Sequence, residues 1–312
     1  MYNTIIIGAG NIAANFDSPD SADILTHAHA FQNSTCFNLL GFYDKDYDMA
    51  KAAALTWGCH AYESLESALE SAQVVSCCVP DPYHREILEK AAKYKPQLVI
   101  TEKPLAVSMT EGRAIEQIYD HQIPLLINYS RRFLKEFQNL REAVKQYGTF
   151  LKGVGYYGKG ILHNGSHMID LLGFLLGSVE CLEVLQPEIH DFEGDSSKDL
   201  ILKIQEGQFH MIAVDSRIAT IFEMELFFEK ARIRILDGGT RIELYQIKES
   251  NTYQGYYNYV LSRCESVNYS NAMTGLMENA QGFLNGDQKL LCTLADGIDV
   301  LRICMQIRGE VL

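Results

Sequence analysis

Glu102-Lys103-Pro104 sets a carboxylate, an ammonium and a backbone stop in three consecutive positions. The run Gln97-Leu98-Val99-Ile100 before it reads as a buried strand, and Pro104 fixes its own φ and ends that strand. Lys103 thereby stands at the carboxyl edge of a sheet, where open α/β sheets receive their ligands. A lysine in an ordinary surface turn has the same local sequence, so the rest of the chain must decide.

A second group is His163-Asn164-Gly165-Ser166-His167-Met168-Ile169-Asp170. His163 and His167 are four apart and share a helix face, and Asp170, three beyond His167, is close enough to orient an imidazole. The pair lacks a third ligand at characteristic spacing and the chain lacks His-Glu-x-x-His, so no metal site is read.

The third group is Gly8-Ala9-Gly10-Asn11-Ile12-Ala13, directly after the apolar strand Thr4-Ile5-Ile6-Ile7. Gly8 allows a tight turn, Gly10 lets a pyrophosphate approach the backbone, and Ala13 lets the following helix pack closely. The helix start at Asn11 and Ile12 turns N–H groups toward phosphates. Asp44, at the end of the strand Phe37 to Tyr43, is placed to accept from the adenosine ribose hydroxyls. A 2′-phosphate would meet this carboxylate, which favours NAD; Lys45 could pair with that phosphate, which leaves NADP open.

These residues need a frame. Strand and helix patterns alternate through Met49 to Trp57, Leu65 to Ser71, Val74 to Val79, Tyr83 to Tyr94, Gln97 to Ile100, Met109 to His121 and Pro124 to Asn128. Residues 1–127 therefore read as an α/β unit, a Rossmann-type parallel sheet with crossover helices. Phe16 to Ala28 reads as an insertion beside the nucleotide turn. Pro80-Asp81-Pro82 breaks the chain after a strand, and His84 is placed to cap or orient the next helix.

Residues 128–312 have a different texture. A helix from Phe133 to Gln146, a strand from Phe150 to Tyr157 and the bend Gly158-Lys159-Gly160 lead into a helix from His163 to Leu176. Short alternating strands follow, and helices from Met273 to Leu284 and Gly297 to Arg308 close the chain. This reads as an α+β domain on a mostly antiparallel sheet, helices on one face and the other face open. Gly255-Tyr256-Tyr257-Asn258-Tyr259 reads as rigid amphipathic surface, suited to an interface or a site rim.

The bulk numbers bound the function. A chain of 312 residues, 47% hydrophobic, has room for two domains. Lys+Arg number 27 against 40 Asp+Glu, a net charge of -13, which argues against a nucleic-acid surface. No signal-peptide pattern opens the chain and no apolar run reaches membrane-span length, so no membrane partner is expected. None of the eight cysteines forms a Cys-x-x-Cys pair, which reads as a reducing, cytoplasmic compartment.

Gly8 to Ala13, Asp44, Val79-Pro80-Asp81-Pro82-Tyr83-His84 and Glu102-Lys103-Pro104-Leu105-Ala106 stand in an order and spacing that resembles the Gfo/Idh/MocA oxidoreductases. These are the relatives of glucose-fructose oxidoreductase and inositol dehydrogenase. Asn128 to Phe133 also resembles their interdomain segment. The resemblance implies hydride transfer between a nicotinamide and a secondary alcohol carbon of a sugar, cyclitol or sugar nucleotide. It implies cofactor contacts at Gly8, Gly10, Asn11, Ile12, Ala13, Asp44, Lys45, Pro80, Asp81, His84, Glu102 and Lys103. It makes Lys103 and His167 the catalytic pair, and either one could carry the hydroxyl proton. Lys103, Arg132, Tyr157, His163, Asn164 and His167 are the substrate-binding candidates, with Arg132 or Lys159 able to meet a phosphate. His163 stands where the family pattern has an acid, which leaves substrate and direction open. A homodimer or homotetramer through the open sheet face is implied. The alternatives are a glycoside hydrolase using retained NAD and a nucleotide-binding regulatory protein without turnover.

Overall fold

The structure, a computed structural model, describes residues 1–120 and 122–310; the expected helix end at His121 lies outside them. The chain divides into two compact units. The first is Met1–Phe133 with Ser270–Leu301, the second Leu134–Tyr269 with Arg302–Leu312.

The first unit holds six strands: β1 (Tyr2–Ile7), β2 (Phe37–Tyr43), β3 (His60–Tyr62), β4 (Val74–Cys77), β5 (Leu98–Thr101) and β6 (Leu125–Ile127). They run parallel in the order β3-β2-β1-β4-β5-β6. This is the doubly wound dinucleotide-binding order, whose reversal between β1 and β4 opens the ligand crevice. The apolar runs in β1, β4, β5 and β6 are buried because crossover helices cover both faces. Those helices are α1 (His27–Asn33), α2 (Tyr47–Trp57), α3 (Leu65–Glu70), α4 (His84–Ala92) and α5 (Met109–Tyr119).

Two features depart from the sequence reading. The segment read as an insertion up to Ala28 runs into α1, which starts at His27 because the Thr26 hydroxyl accepts from the His29 N–H and caps it. A single cut after residue 127 also does not describe the units. The helix Asn271–Leu284 (α8) and the first half of Leu294–Arg308 (α9) belong with the first unit. Gly275 of α8 lies against the Phe133 carbonyl, and Gly297 of α9 against Leu105 and Ile127.

The second unit is an eight-stranded sheet. Its strands are β7 (Phe150–Tyr157), β8 (Val179–Val184), β9 (Leu200–Ile204), β10 (Gly207–Ala213), β11 (Phe222–Phe228), β12 (Ala231–Leu236), β13 (Arg241–Glu249) and β14 (Tyr257–Ser266). The order is β14-β13-β12-β11-β7-β10-β9-β8, with one parallel pair, β7 and β10, among antiparallel neighbours. In β11, Phe222, Met224, Leu226 and Phe228 point into the core while the residues between them are half-buried. The helices α6 (Lys135–Val144) and α7 (Ser166–Leu176) supply buried residues to this unit. The tyrosine-rich segment read as surface opens β14, an edge strand exposed along almost its whole length. No helix among the described residues is long and apolar enough to cross a membrane.

Candidate active site

The carboxyl ends of the first sheet are tied to one another by the backbone. The Gly8 N–H donates to the Tyr43 carbonyl at 2.7 Å, Cys78 to Ile7 at 2.8 Å, Glu102 to Cys77 at 3.1 Å and Asn128 to Thr101 at 2.9 Å. The loops bearing Gly8, Asp44, Pro80 and Lys103 therefore leave one edge in register.

Gly8 turns at φ +96°, and a Cβ there would lie 2.8 Å from the Cys78 carbonyl group, so only glycine fits. Ala13 is fully buried in the turn Asn11–Asn15 behind it. A Cβ on Gly10 would meet nothing within 4 Å, so the loop is open on the side a pyrophosphate would take. Asn11 is exposed and Ile12 half-buried.

Asp44 ties this turn to β2. One of its carboxylate oxygens accepts from the Ala9 N–H at 2.8 Å and the other from the Asp46 N–H at 2.9 Å. Each oxygen keeps a further lone pair for a ribose hydroxyl. Lys45 is exposed, its ammonium 4.6 Å from the centre of the Tyr83 ring. The open glycine turn and the anchored carboxylate fit a nicotinamide dinucleotide. When bound, that group supplies the carbon that gives or takes hydride.

Pro80 and Asp81 begin the loop after β4, with Pro80 exposed and Asp81 half-buried. His84 has a different place from the one read for it as a cofactor contact. It is fully buried, one ring nitrogen 2.8 Å from the Pro104 carbonyl and the other 3.0 Å from the Val79 carbonyl. Both nitrogens are used in clamping the Pro80 loop to the Lys103 loop, which leaves no surface for a ligand.

Glu102 is held from two sides. One carboxylate oxygen accepts from Asn128 Nδ2 at 2.7 Å and lies 2.9 Å from His27 Nε2. Burial works against its charge, but the bonds from His27 and Asn128 prevail and hold its pKa below the ordinary glutamate value. Lys103 follows directly and is half-buried.

Sequence reasoning missed His27. It is fully buried, and its Nδ1 is 3.0 Å from Ser76 Oγ. Burial would lower its pKa; the Cys78 sulfur and the Glu102 carboxylate outweigh that and push it up to about 10. The only local signal was a histidine inside an apolar helical run, His27-Ala28-His29-Ala30-Phe31. The insertion closes on another acid, Asp17, whose carboxylate meets the N–H groups of Leu25 and Thr26, the Thr26 hydroxyl and His29 Nδ1.

In the second unit the region read as one helix from His163 divides into a wider turn, Ile161–Gly165, and then α7. His163, Asn164 and His167 are half-buried, whereas Asp170 is buried. The loop 186–199 wraps this start. Asp195 Oδ2 accepts from the N–H groups of Leu162 and His163, both at 2.8 Å, and Asp191 Oδ2 accepts from Lys159 N–H at 2.6 Å and Ser216 N–H at 3.1 Å. Phe192 then stacks on the His163 imidazole, ring centres 4.3 Å apart. Asn164 donates through its amide to the Gly158 carbonyl at 2.9 Å. The same loop lines a cavity of about 610 Å³. Two of the cations lining it are already paired, Lys198 with Glu188 and Arg217 with Asp215.

Two substrate candidates are structural. Tyr157 is fully buried; its hydroxyl donates to the Lys198 carbonyl and accepts from the Lys198 N–H, each at 2.8 Å. Burial pushes its pKa up. Arg132 is buried in the first unit, where one guanidinium nitrogen lies 2.8 Å from the Leu291 carbonyl and 3.0 Å from Asp296 Oδ1. Neither presents a surface to a substrate, since residue type suggested a ligand and burial assigns a strut.

Residues 2–126 match the family model GFO_IDH_MocA, described as an oxidoreductase family with an NAD-binding Rossmann fold. Residues 2–126 are thus similar to the NAD-binding domain of the Gfo/Idh/MocA oxidoreductases. Among solved structures the chain is similar to UDP-N-acetylglucosamine 3-dehydrogenase GnnA from Acidithiobacillus ferrooxidans, with 17% identity, a TM-score of 0.77, and coverage of 99% of this chain and 97% of that one. An oxidoreductase from Agrobacterium radiobacter, in complex with NAD+, L-tartaric acid and magnesium, gives 16% identity, a TM-score of 0.76, and 99% and 96% coverage. A variant of KijD10, a 3-ketoreductase from Actinomadura kijaniata in complex with TDP-benzene and NADP, gives 13% identity, a TM-score of 0.76, and 99% and 97% coverage. At these identities the likeness establishes the fold over both units. No curated protein matches the chain in sequence.

Proposed function

We propose that the chain is a nicotinamide-dependent dehydrogenase or reductase acting on a secondary alcohol carbon of a sugar, cyclitol or nucleotide-linked sugar. The observation that carries this reading is the strand-end assembly of the first unit. An open glycine turn and an anchored Asp44 lie on the same sheet edge as Lys103, whose two neighbours are fixed by hydrogen bonds. Lys103 hydrogen-bonds the reacting oxygen and stabilises its developing negative charge. His167 exchanges the hydroxyl proton with that oxygen, a task suited to an imidazole near neutral pH. His163 and Asn164 contact the substrate hydroxyls. Support for the substrate class comes from the sugar-nucleotide dehydrogenase and the TDP-bound ketoreductase that share the fold.

NAD is the preferred cofactor, because Asp44 offers two carboxylate oxygens where a 2′-phosphate would have to sit. The eight cysteines are free thiols, which supports a reducing, cytoplasmic setting. The protein assembles as a homodimer or homotetramer through the C-terminal sheet, whose strand β14 exposes Tyr257, Tyr259, Val260 and Leu261.

The test is a fluorescence titration with NADH and NADPH, then a screen of sugars and sugar nucleotides by absorbance at 340 nm. Binding of NADH in preference to NADPH and net turnover with one substrate class are expected. No binding of either cofactor overturns the enzyme reading, and tighter NADPH overturns the role of Asp44. Sedimentation velocity on the same preparation checks assembly, with a monomer as the contrary result.

A further inference from the structure

Lys103 stands between two anchors. On its N-terminal side, Glu102 is gripped by Asn128 from the end of β6 and by His27 from α1. On its C-terminal side, the Pro104 carbonyl is held by His84. His27 is the unusual member of this set. Buried imidazole nitrogens both need partners, and those of His84 are two backbone carbonyls. Both ring nitrogens of His27 instead meet side chains from the ends of two different strands, Glu102 beyond β5 and Ser76 in β4, whose hydroxyl lies 3.5 Å from Cys78 Sγ.

From this geometry we propose that His27 is a positioning residue for Lys103, acting through Glu102. The proposal rests on the assignment of Lys103 to the reacting oxygen. A lysine carries its ammonium on a flexible four-carbon stem. Its placement to within about 0.5 Å therefore depends on how firmly the backbone beneath it is fixed. The imidazolium donates one N–H to Glu102 and the other to Ser76, so one side chain fixes the ends of two adjacent strands beside Lys103. The titratable groups facing His27 are Glu102 and Cys78, and Lys103 faces Glu102 in turn. Without His27, the half-buried Glu102 carboxylate keeps Asn128 as a donor but loses its cation, and it takes up a proton more readily as pH falls.

The experiment uses the full chain with His27→Leu, His27→Gln and Glu102→Gln. Three readouts are taken: ¹H–¹⁵N spectra of the histidine rings from pH 6 to 10, the NADH dissociation constant, and kcat and KM from pH 6 to 9. In the wild type one histidine ring is expected to remain an imidazolium at pH 8.5 and to vanish from the spectrum of His27→Gln. His27→Leu is expected to lose about 10- to 100-fold in kcat, the scale of a roughly 1 Å misplacement. Its NADH affinity should stay within about threefold, and an acid limb should appear in kcat. His27→Gln, whose amide still donates to Glu102, should recover most of the rate near neutral pH.

The role is overturned if His27→Leu folds and keeps the wild-type kcat profile, or if every ring titrates below pH 8. Should His27→Leu fail to fold, Glu102→Gln decides: an unchanged kcat removes the role and a loss of the same size supports it. A wild type that binds neither cofactor and turns over no substrate rejects the dehydrogenase reading and this proposal with it. A working wild type with an unaffected His27→Leu rejects the positioning role alone.

Discussion

The two units build their polar regions in opposite ways. In the first, side chains bond to other side chains and to strand-end backbone: Asp44 to the glycine turn, His27 and Asn128 to Glu102, and His84 to two carbonyls. Most of these groups are buried, and the parallel register of the sheet dictates where they stand. In the second, Asp191 and Asp195 spend their oxygens mainly on backbone N–H groups of the bend, of the turn before α7 and of Ser216 beyond β10. They fix the path of the loop and leave His163, Asn164 and His167 half-exposed. The first arrangement suits an invariant partner such as a cofactor. The second lets recognition change through a loop without disturbing the sheet.

The largest effect should come from cutting a strut of the first kind. Arg132→Met leaves Asp296 without its cation and the Leu291 carbonyl without a donor. Asp296 keeps 33% of its side chain exposed, so the loss should be about 3 kcal/mol, the low end for breaking a buried pair. A urea or thermal melt should show that loss, while KM for substrate in the surviving folded fraction should stay as in wild type. A raised KM with unchanged stability would return Arg132 to the substrate contacts.

Next in size is Lys103→Ala, which removes a chemical group rather than a strut. Losing one stabiliser of developing negative charge is worth about 10²- to 10³-fold in kcat. NADH affinity should change little, because the cofactor's phosphates and ribose are held by the glycine turn and Asp44. A variant with wild-type turnover would take Lys103 out of the chemistry, and one that loses NADH binding would make it a cofactor ligand.

The sequence carried the first unit well for a physical reason. Strand, glycine turn, acid and crossover helix are local patterns, and their order along the chain is their order of use. What it did not carry was pairing at a distance. His27 and Glu102 lie 75 positions apart, and nothing near either names the other. Arg132 and Tyr157 were read as ligands from residue type, and burial alone reassigns them. The strand β14 escaped notice because an exposed edge strand has no alternating burial to mark its period. His163 was legible as a residue, but its partner Phe192 sits on a loop whose path is set by Asp191 and Asp195, and no periodicity reports that.

The smallest effect is expected at His163, and it probes the replaceable side of the comparison. Its N–H is bound by Asp195 whatever the side chain, so His163→Asn should keep the turn and the fold. The substitution removes the ring that stacks on Phe192. If His163 contacts substrate or supports His167, kcat/KM should fall by several-fold, roughly 1 kcal/mol. Its pH profile should change with it. Phe192→Ala separates the two contributions. It removes the stack and keeps the imidazole, so it should raise KM and leave the shape of the pH profile intact. Curves that superimpose in shape and height for wild type and both variants, measured with the accepted substrate, would make the stacked pair a lid on the turn and no part of recognition. NADH affinity should be the same in all three proteins, since every cofactor contact proposed here belongs to the first unit.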